Sequence, residues 1–466
     1  MAKGDLGDFQ TPSELAVRVV ALVAERAGRP STIIEPTCGR GNFIAASLEA
    51  FPEARVHGLE LQPRYIAELE RRFQFHPRFV LHHADYFGFD WPGLLDNCDK
   101  PLWVIGNPPW VTNTQLTKLN STNLPAKTPQ RHLRGIEAQT GKSNFDISEA
   151  MVRDWFVWCA GCGGSLAVVC KTSVARKLLH WWWKRIDTPP NAAMYLIDAK
   201  ETFNATVSAC VLICSFGDTG ATKSCAVHDS LSDQHPSQTI GFVDGHLVAD
   251  HPAYLRGRAL LGTGRRRWRS GIKHDAADAL ELRRDRGGLR TKAGQLVDLE
   301  ADYIFPLLKG SDLARDTLPC DRAMLVPQTV IGEDMRGIEH RAPRTWRYLQ
   351  SHTDVFARRK SVIYSKGGAF SIFGVGEYSF CPWKVAIAAL YKKLNFRLIG
   401  PIDGRPVVFD DTVYFLGFGT EDSAREALER LHCERVTSFL QSMIFWDDMR
   451  PVKTDILNRI DLALAA

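Results

Sequence analysis

The stretch Ile33-Ile-Glu-Pro-Thr-Cys-Gly-Arg-Gly-Asn-Phe43 joins a short apolar run to a segment with helical periodicity. The apolar run predicts a buried strand, and the segment after it predicts a helix. Gly39 and Gly41 let the connecting backbone turn tightly and approach a ligand, because neither residue has a Cβ. In doubly wound α/β sheets, ligands sit at such strand ends. The third glycine of a dinucleotide fingerprint is missing, so the two glycines alone do not identify the ligand.

The alternation of strand and helix continues through Ser215 and predicts an α/β fold with a doubly wound, Rossmann-like domain and a mostly parallel sheet. Beyond residue 218, Gly/Ser/Asp-rich stretches and short strand-like runs predict a mixed α+β second domain. We place the boundary between residues 1–240 and 241–466. The strand candidates are Thr32–Glu35, Arg55–Leu61, Phe79–His82, Leu102–Gly106, Gly164–Cys170, Ala193–Ile197 and Ser208–Ser215. The helix candidates are Ser13–Arg26, Gly41–Glu49, Gln62–Phe73, Ile147–Cys159 and Ser173–Lys184.

The composition is that of a globular protein without a membrane span. The 466 residues are 45% apolar and 24% charged, with a net charge of +5, and no apolar run has the length of a bilayer. The N-terminus lacks the apolar core of a signal peptide. The 11 cysteines are scattered as in a reducing cytosol, and the close pair Cys159 and Cys162 has no second pair at metal-ligand spacing. We therefore expect a cytoplasmic protein without a metal.

Three successive strand candidates end in a carboxylate. Glu35 at the first strand end suits a cationic group better than a pyrophosphate, and Glu60 at the second suits the two hydroxyls of a ribose. Asp85, after the third, suits an adenine amino group, and the aromatic Phe87 can stack on the base. A nucleoside bearing a positive charge fits this series, so we expect S-adenosylmethionine as the cofactor.

The segment Asn107-Pro-Pro-Trp110 follows the apolar run Leu102–Gly106. Proline has no N–H for a sheet ladder, and it pushes the residue before it out of the helical region. The strand must therefore end in a stiff turn that presents an amide and an aromatic ring side by side.

In chain order, Phe9-Gln-Thr-Pro12, Glu35–Phe43 and Asn107–Trp110 resemble the motifs of γ-type amino-methyltransferases, which methylate adenine N6 of DNA in bacterial restriction–modification systems. Gly141–Asp146 and Gly163–Val169 resemble further segments of this family. The family's cofactor-binding positions fall on Thr11, Glu35, Pro36, Gly39, Gly41, Glu60, Asp85 and Phe87. Its catalytic positions fall on Asn107, Pro108, Pro109 and Trp110, and its second base-covering aromatic falls on Phe203. Arg40, inside the cofactor loop, has no explanation from the resemblance.

The side-chain amide of Asn107 now acquires a chemical role. An exocyclic amine is a poor nucleophile, and the Asn107 side-chain oxygen and the Pro108 carbonyl can each accept one of its N–H groups. A base inside a duplex cannot reach such a pocket, so the target must flip out of the stack. Trp110 and Phe203 would then replace the stacking that the base loses.

The resemblance makes the C-terminal half a target-recognition domain for a short duplex DNA sequence. Between Arg265 and Arg290 stand nine Lys or Arg and four Asp or Glu, and such a cluster can hold phosphates. The candidate phosphate contacts are Arg265, Arg266, Arg267, Arg269 and Lys273. The resemblance also implies a bacterial, nucleoid-associated enzyme with its cognate restriction endonuclease on a separate chain.

Two alternatives stay open. A cytosine-N4 methyltransferase uses the same amine chemistry, although serine is usual there in place of Asn107. A non-catalytic DNA-binding relic of the fold is the other, although relics tend to lose one of the two motifs that are intact here. The recognition sequence cannot be read from the chain.

Overall fold

The computed structural model describes residues 9–110, 147–315, 318 and 321–465, with the backbone alone at residues 365 and 366. The chain divides into two compact units, Met1–His251 and Pro252–Ala466. The division lies C-terminal to the boundary predicted at residue 240, because strands on both sides of that residue belong to one sheet.

A ten-stranded sheet organises the first unit, in the order β10-β9-β8-β6-β7-β5-β4-β1-β2-β3. Strands β3, β2, β1, β4 and β5 are successively parallel, whereas β7 runs antiparallel to both β5 and β6. The strands are β1 (Thr32–Glu35), β2 (Arg55–Glu60), β3 (Phe79–His83), β4 (Leu102–Gly106), β5 (Ser165–Lys171), β6 (Asn191–Ile197), β7 (Ala209–Ser215), β8 (Ser224–His228), β9 (Gln238–Val243) and β10 (His246–Val248).

Seven helices accompany this sheet among the described residues. They are α1 (Ser13–Ala27), α2 (Asn42–Ala50), α3 (Pro63–Phe73), α4 (Trp91–Asp96), α5 (Ile147–Cys162), α6 (Thr172–Arg185) and α7 (Ala199–Phe203). Helix α1 buries Leu15, Ala16, Val19, Val20 and Val23, the spacing of an amphipathic helix with one face in the core. Strands β1 and β4 are buried along their whole length, as expected of parallel strands covered on both faces. The predicted doubly wound fold is confirmed.

Strands β8, β9 and β10 correct the expectation that regular structure fails after residue 218. Strand β8 pairs parallel with β6, and β9 and β10 follow as an antiparallel extension. Strand β8 alternates in burial over its first four residues, and polar turns separate the strands, such as Asp244–Gly245 with positive φ at both residues. Strands β9 and β10 show no such alternation, which is why the pattern was not visible.

The second unit contains two sheets, one in the order β11-β20-β17-β18 and one in the order β14-β13-β12-β16-β15-β19. Its strands are β11 (Arg269–Ser270), β12 (Glu281–Asp285), β13 (Gly288–Thr291), β14 (Leu296–Val297), β15 (Ile304–Leu308), β16 (Arg322–Leu325), β17 (Trp383–Ala388), β18 (Arg397–Ile399), β19 (Val408–Phe409) and β20 (Val413–Phe418). The helices are α8 (His251–Gly257, beginning at the division), α9 (Ala277–Leu280), α10 (Gly310–Leu313), α11 (Ile338–Arg341), α12 (Pro343–Ser351), α13 (Thr353–Ala357), α14 (Glu421–His432), α15 (Glu434–Met443) and α16 (Thr454–Leu457). The predicted mixed α+β character of this half is confirmed.

None of the helices within the described ranges is both long enough and apolar enough to cross a bilayer.

Candidate active site

The candidate site lies where the strand order of the first sheet reverses, between β1 and β4. These strands are adjacent and parallel, with Thr32 opposite Leu102. The segments that follow β1 and β4 therefore leave the sheet at the same edge. A Cβ placed on Gly106 would lie 3.7 Å from Glu35 Cγ. The predicted cofactor loop and the Asn-Pro-Pro-Trp turn are therefore neighbours, at the switch point where doubly wound sheets bind ligands.

Glu60 holds the loop between β1 and α2 in place. Its Oε2 accepts the backbone N–H of Gly39 at 2.8 Å, and its Oε1 accepts those of Leu61 at 2.9 Å and Gln62 at 2.7 Å. Gly39 and Gly41 have φ of +49° and +74°, a region that favours glycine. Three backbone N–H groups therefore converge on this one carboxylate, which fixes the loop at the end of β2.

Glu35 is a buried carboxylate at the end of β1, only 3% exposed. Its Oε2 accepts the backbone N–H of Ile44 at 3.1 Å. Burial raises the pKa of Glu35 well above its ordinary value; the Ile44 N–H opposes this, and the charge of Glu60 adds to it. A buried carboxylate of this kind is stabilised by a cation, which fits the positive charge expected of the cofactor. Pro36, buried directly after it, stiffens the turn.

Asp85 and Phe87 lie just beyond the end of β3. The Asp85 Oδ1 accepts the backbone N–H of Phe87 at 3.0 Å and so caps a short 3-10 helix, Tyr86–Gly88. The ring of Phe87 is 36% exposed. The structure thus brings three carboxylates to successive strand ends, and the third also shapes its own turn.

Arg40 turns away from the loop that contains it. Its side chain is exposed and its Nε lies 3.8 Å from Glu68 Oε2 on α3. Its backbone N–H donates to Gln10 Oε1 at 3.0 Å. The cation therefore pairs on the outer surface of the loop, which accounts for a residue that the resemblance left unexplained.

The Asn107 amide is oriented by the Thr-Pro motif. Its Nδ2 donates to the Phe9 carbonyl oxygen at 2.7 Å and lies 3.3 Å from Thr11 Oγ1. The opposite amide orientation would aim an oxygen at a carbonyl that can only accept, so the partners determine the assignment. Asn107 Oδ1 is buried and has no hydrogen-bond partner among the described residues. A bare buried acceptor is costly and calls for a donor from a ligand.

Three aromatic rings, those of Phe9, Trp110 and Phe203, pack against one another at this turn, which contains Trp110. The Trp110 ring lies 5.2 Å from Phe203, edge to face, and 5.3 Å from Phe9. A base between two rings needs them about 7 Å apart, twice an ordinary carbon contact distance. The predicted pair is brought together, and in this arrangement the two rings contact each other. Pro108 and Pro109, between Asn107 and Trp110, hold the turn rigid.

The five basic residues predicted to hold phosphates lie in the second unit and divide into two groups. Arg265 and Arg267 are exposed, as are Arg266 and Arg269, whose side chains make contacts within the unit. Arg266 donates to the Gly417 carbonyl and lies 4.7 Å over the Phe418 ring, and Arg269 lies 4.9 Å over the Tyr378 ring. Lys273 pairs with Asp275 at 3.1 Å. The first two are therefore the better candidates for contacts with DNA.

Sequence reasoning missed several residues that shape the site. Phe9 and Gln10 stand in the quoted Thr-Pro motif but were not singled out, and Asn42 stands in the loop motif without a role. The only sequence signal that could have identified these three residues is that they stand within those two motifs. The predicted segment Gly141–Asp146 lies outside the described residues. Within the described ranges, no three His, Cys, Asp or Glu side chains form a cluster that could hold a metal.

Comparison with known proteins gives the family. The chain is 40% identical over 469 aligned positions to the Type II methyltransferase M.NspV of Nostoc sp., covering 100% of this chain and 98% of that one. The Type II methyltransferase M.CvrRI of a Paramecium bursaria Chlorella virus is 33% identical over 112 residues, 24% of this chain and 26% of that protein.

No protein-family model matches the chain. Among solved structures, the Type IIL restriction-modification enzyme MmeI in complex with DNA aligns with a TM-score of 0.52 at 12% identity, over 96% of this chain and 64% of that one. That likeness supports the fold. From the full-length identity to M.NspV, the chain belongs to the Type II methyltransferases, a family of DNA methyltransferases whose cofactor is S-adenosylmethionine.

Proposed function

We propose that the chain methylates the N6 amino group of an adenine that has flipped out of a short, specific sequence in duplex DNA. The observation that carries the proposal is the buried Asn107 Oδ1 just beyond the end of β4, which has no hydrogen-bond partner in the part of the chain that the structure describes. An exocyclic amine supplies the N–H that this oxygen lacks. A hydroxyl or a ring carbon as the methyl acceptor would not need a neighbouring pair of oxygen acceptors.

The chemistry follows from two acceptors and one rigid turn. The Asn107 side-chain oxygen takes one N–H of the amine, and the Pro108 carbonyl takes the other. Both draw the protons outward, so electron density on the nitrogen rises as it attacks. Methylation itself acidifies the amine, so no strong general base is needed beforehand. S-adenosylmethionine supplies the methyl group as an electrophile.

The cofactor would be held by the residues of the β1, β2 and β3 ends. Glu35 fits a cationic group because none of the described residues supplies a counter-charge to its buried carboxylate. Glu60 fits the ribose hydroxyls, and Asp85 with Phe87 fits the adenine. Thr11 lies against Asn107, which would place it between cofactor and acceptor. Glycine at position 39 leaves the space that Gln10 Oε1 fills, 2.5 Å from where a Cβ would stand.

The flipped base would enter between Trp110 and Phe203. Since these rings are 5.2 Å apart and a stacked base requires about 7 Å, its entry must separate them. The ring contacts that are lost are replaced by stacking on the base, which also offsets the few kcal/mol that flipping costs.

The second unit would recognise the DNA sequence, with Arg265 and Arg267 placed to contact phosphates. Such contacts position a protein on the duplex without reading bases. M.NspV is a Type II methyltransferase and MmeI was solved with DNA, which supports DNA as the substrate. A role in protecting host DNA from a cognate endonuclease on another chain, in the bacterial cytosol, is part of the proposal.

The two alternatives share parts of this argument. A cytosine N4 amine could use the same acceptors, and only the modified base distinguishes it from adenine. A non-catalytic relic has no reason to keep Asn107 Oδ1 bare and Glu35 buried, since both cost stability without a ligand.

The test is single-molecule sequencing of plasmid DNA from cells that express the chain. An Asn107→Ala variant is the active-site control, and Asn97→Ala, at the C-terminal end of α4, is the matched substitution elsewhere. We expect N6-methyladenine at one short motif, retained with Asn97→Ala and lost with Asn107→Ala. N4-methylcytosine would replace the proposed substrate with the first alternative, and no modified base would support the second.

A further inference from the structure

The side chain of Asn42 lies in a chain of hydrogen bonds that ends at Asn107. Asn42 is the first residue of α2, and its Nδ2 donates to the Thr11 carbonyl oxygen at 2.7 Å. Its Oδ1 accepts from Arg72 Nη1 at 3.1 Å. Both ends of the amide are therefore used, one toward the Thr-Pro motif and one toward α3.

Arg72 connects helix α3 to the cofactor loop. The same Nη1 that reaches Asn42 also donates to the Arg40 carbonyl oxygen at 2.9 Å. Because Arg40 also donates its backbone N–H to Gln10 Oε1 at 3.0 Å, the loop is attached to the Phe9–Thr11 segment at two places. One attachment runs through Gln10 and the other through Asn42.

The Phe9–Thr11 segment in turn orients the catalytic amide. Asn107 Nδ2 donates to the Phe9 carbonyl oxygen at 2.7 Å and to Thr11 Oγ1 at 3.3 Å. No helix or strand contains residues 9–11, so their position depends on these attachments. A shift of this segment would release Nδ2 and let the amide rotate, which would move the bare oxygen away from an incoming amine.

We propose that Asn42 and Arg72 are positioning residues, which hold the Phe9–Thr11 segment so that it keeps the Asn107 oxygen directed at the acceptor amine. The inference rests on the proposed function of Asn107. It assigns a catalytic consequence to two residues that need not touch the acceptor base.

The test compares single-turnover methylation of plasmid DNA, at saturating S-adenosylmethionine, by Asn42→Ala and Arg72→Met. Arg71→Met is the matched control, because Arg71 is the exposed neighbour on the same helix. We expect the rate constant to fall about tenfold for each positioning variant, the loss typical of one hydrogen bond, with an unchanged reaction amplitude. The Arg71→Met rate constant should equal that of the unmodified chain.

Two further measurements separate positioning from general destabilisation. A variant that only unfolds more readily loses amplitude, since fewer molecules are active, and keeps its rate constant. Asn42→Asp retains the acceptor for Arg72 and loses the donor to Thr11, so it should be as slow as Asn42→Ala. Calorimetry with S-adenosylhomocysteine, without DNA, reports whether the cofactor loop still binds.

Rate constants of Asn42→Ala and Arg72→Met that equal the Arg71→Met value would overturn the inference. If Asn107→Ala methylates DNA at the full rate, the proposed function fails instead. If Asn107→Ala is inactive while the two variants are fast, only the positioning role is wrong.

Discussion

Gly41 is the position where a single methyl group should test the packing of the cofactor loop. Its φ is +74°, and a Cβ there would lie 2.5 Å from Leu69 Cδ2 and 3.1 Å from Phe73 Cε2, both on α3. Leu69 is fully buried, so it has no free space to move into. Gly41→Ala therefore meets two penalties, one from the backbone and one from the contact.

The magnitude follows by adding these penalties. A left-handed conformation costs a non-glycine residue roughly 1–2 kcal/mol, and overpacking a filled core costs about 1–3 kcal/mol. Gly245, in the turn between β9 and β10, has a φ of +79° and no atom within 4 Å of its Cβ position. Gly245→Ala pays only the first penalty. Since alanine stiffens the unfolded chain equally in both variants, Gly41→Ala should be less stable by about 1–3 kcal/mol.

The assay is urea unfolding of the unmodified chain and both variants, followed by circular dichroism. Both sites lie in the first unit, so the same transition is compared, and equal slopes allow the midpoints to be converted to free energies. Gly39→Ala should be less stable than Gly245→Ala by about 0.5–1.5 kcal/mol, because its Cβ would displace the Gln10 amide and break the hydrogen bond from the Arg40 backbone N–H. Equal stability losses at positions 41 and 245 would refute the packing of the loop on α3.

Three other outcomes are expected. Because burial raises the pKa of Glu35, the ligand-free chain should lose stability as pH rises through that pKa. In scanning fluorimetry, Glu35→Gln should lose less stability over the same pH range, and it should bind S-adenosylmethionine more weakly. Identical pH profiles of the two proteins would contradict this. Burial, His82 and Arg55 lower the pKa of His57 to about 4, so stability should fall as pH drops from the ordinary histidine value of about 6.5. His57→Gln should flatten that part of a plot of urea midpoint against pH, and an unchanged slope would count against a neutral, buried His57. Phe203→Leu should slow single-turnover methylation about tenfold, because one stacking contact of about 1–3 kcal/mol is lost. Its affinity for S-adenosylmethionine, measured by calorimetry, should change little. A large loss of that affinity would place Phe203 in the cofactor site.

The strand ends were predictable because composition and position coincide there. Glu35 and Glu60 close β1 and β2 as expected, since an apolar run that stops at a charged residue indicates both the strand and its exit. The prolines at 108 and 109 likewise marked the end of β4. Family, fold class and cofactor were all confirmed, because they depend on these local signals.

Other features depend on contacts distant in sequence. No pattern around Asn42 indicates a bond to Thr11, 31 positions earlier, and nothing near Phe9 indicates a bond to Asn107, 98 positions later. The role of Glu60 in holding the Gly39 backbone also appears only once β1 and β2 are paired. Strands β8 to β10 were missed because they are short and partly exposed, so their pairing with β6 and with one another defines them more than their own composition does.

The bare oxygen of Asn107 has an evolutionary consequence. An unsatisfied buried acceptor costs about 1–3 kcal/mol, a large fraction of the 5–15 kcal/mol by which a typical domain is stable. Selection for thermal robustness alone would thus favour a side chain at position 107 that keeps the donor to the Phe9 carbonyl and removes the bare acceptor, and selection for catalysis opposes that change. In a library sorted for heat resistance without any requirement for activity, position 107 should be among the first to drift, while Gly41, which serves the fold as well, should persist.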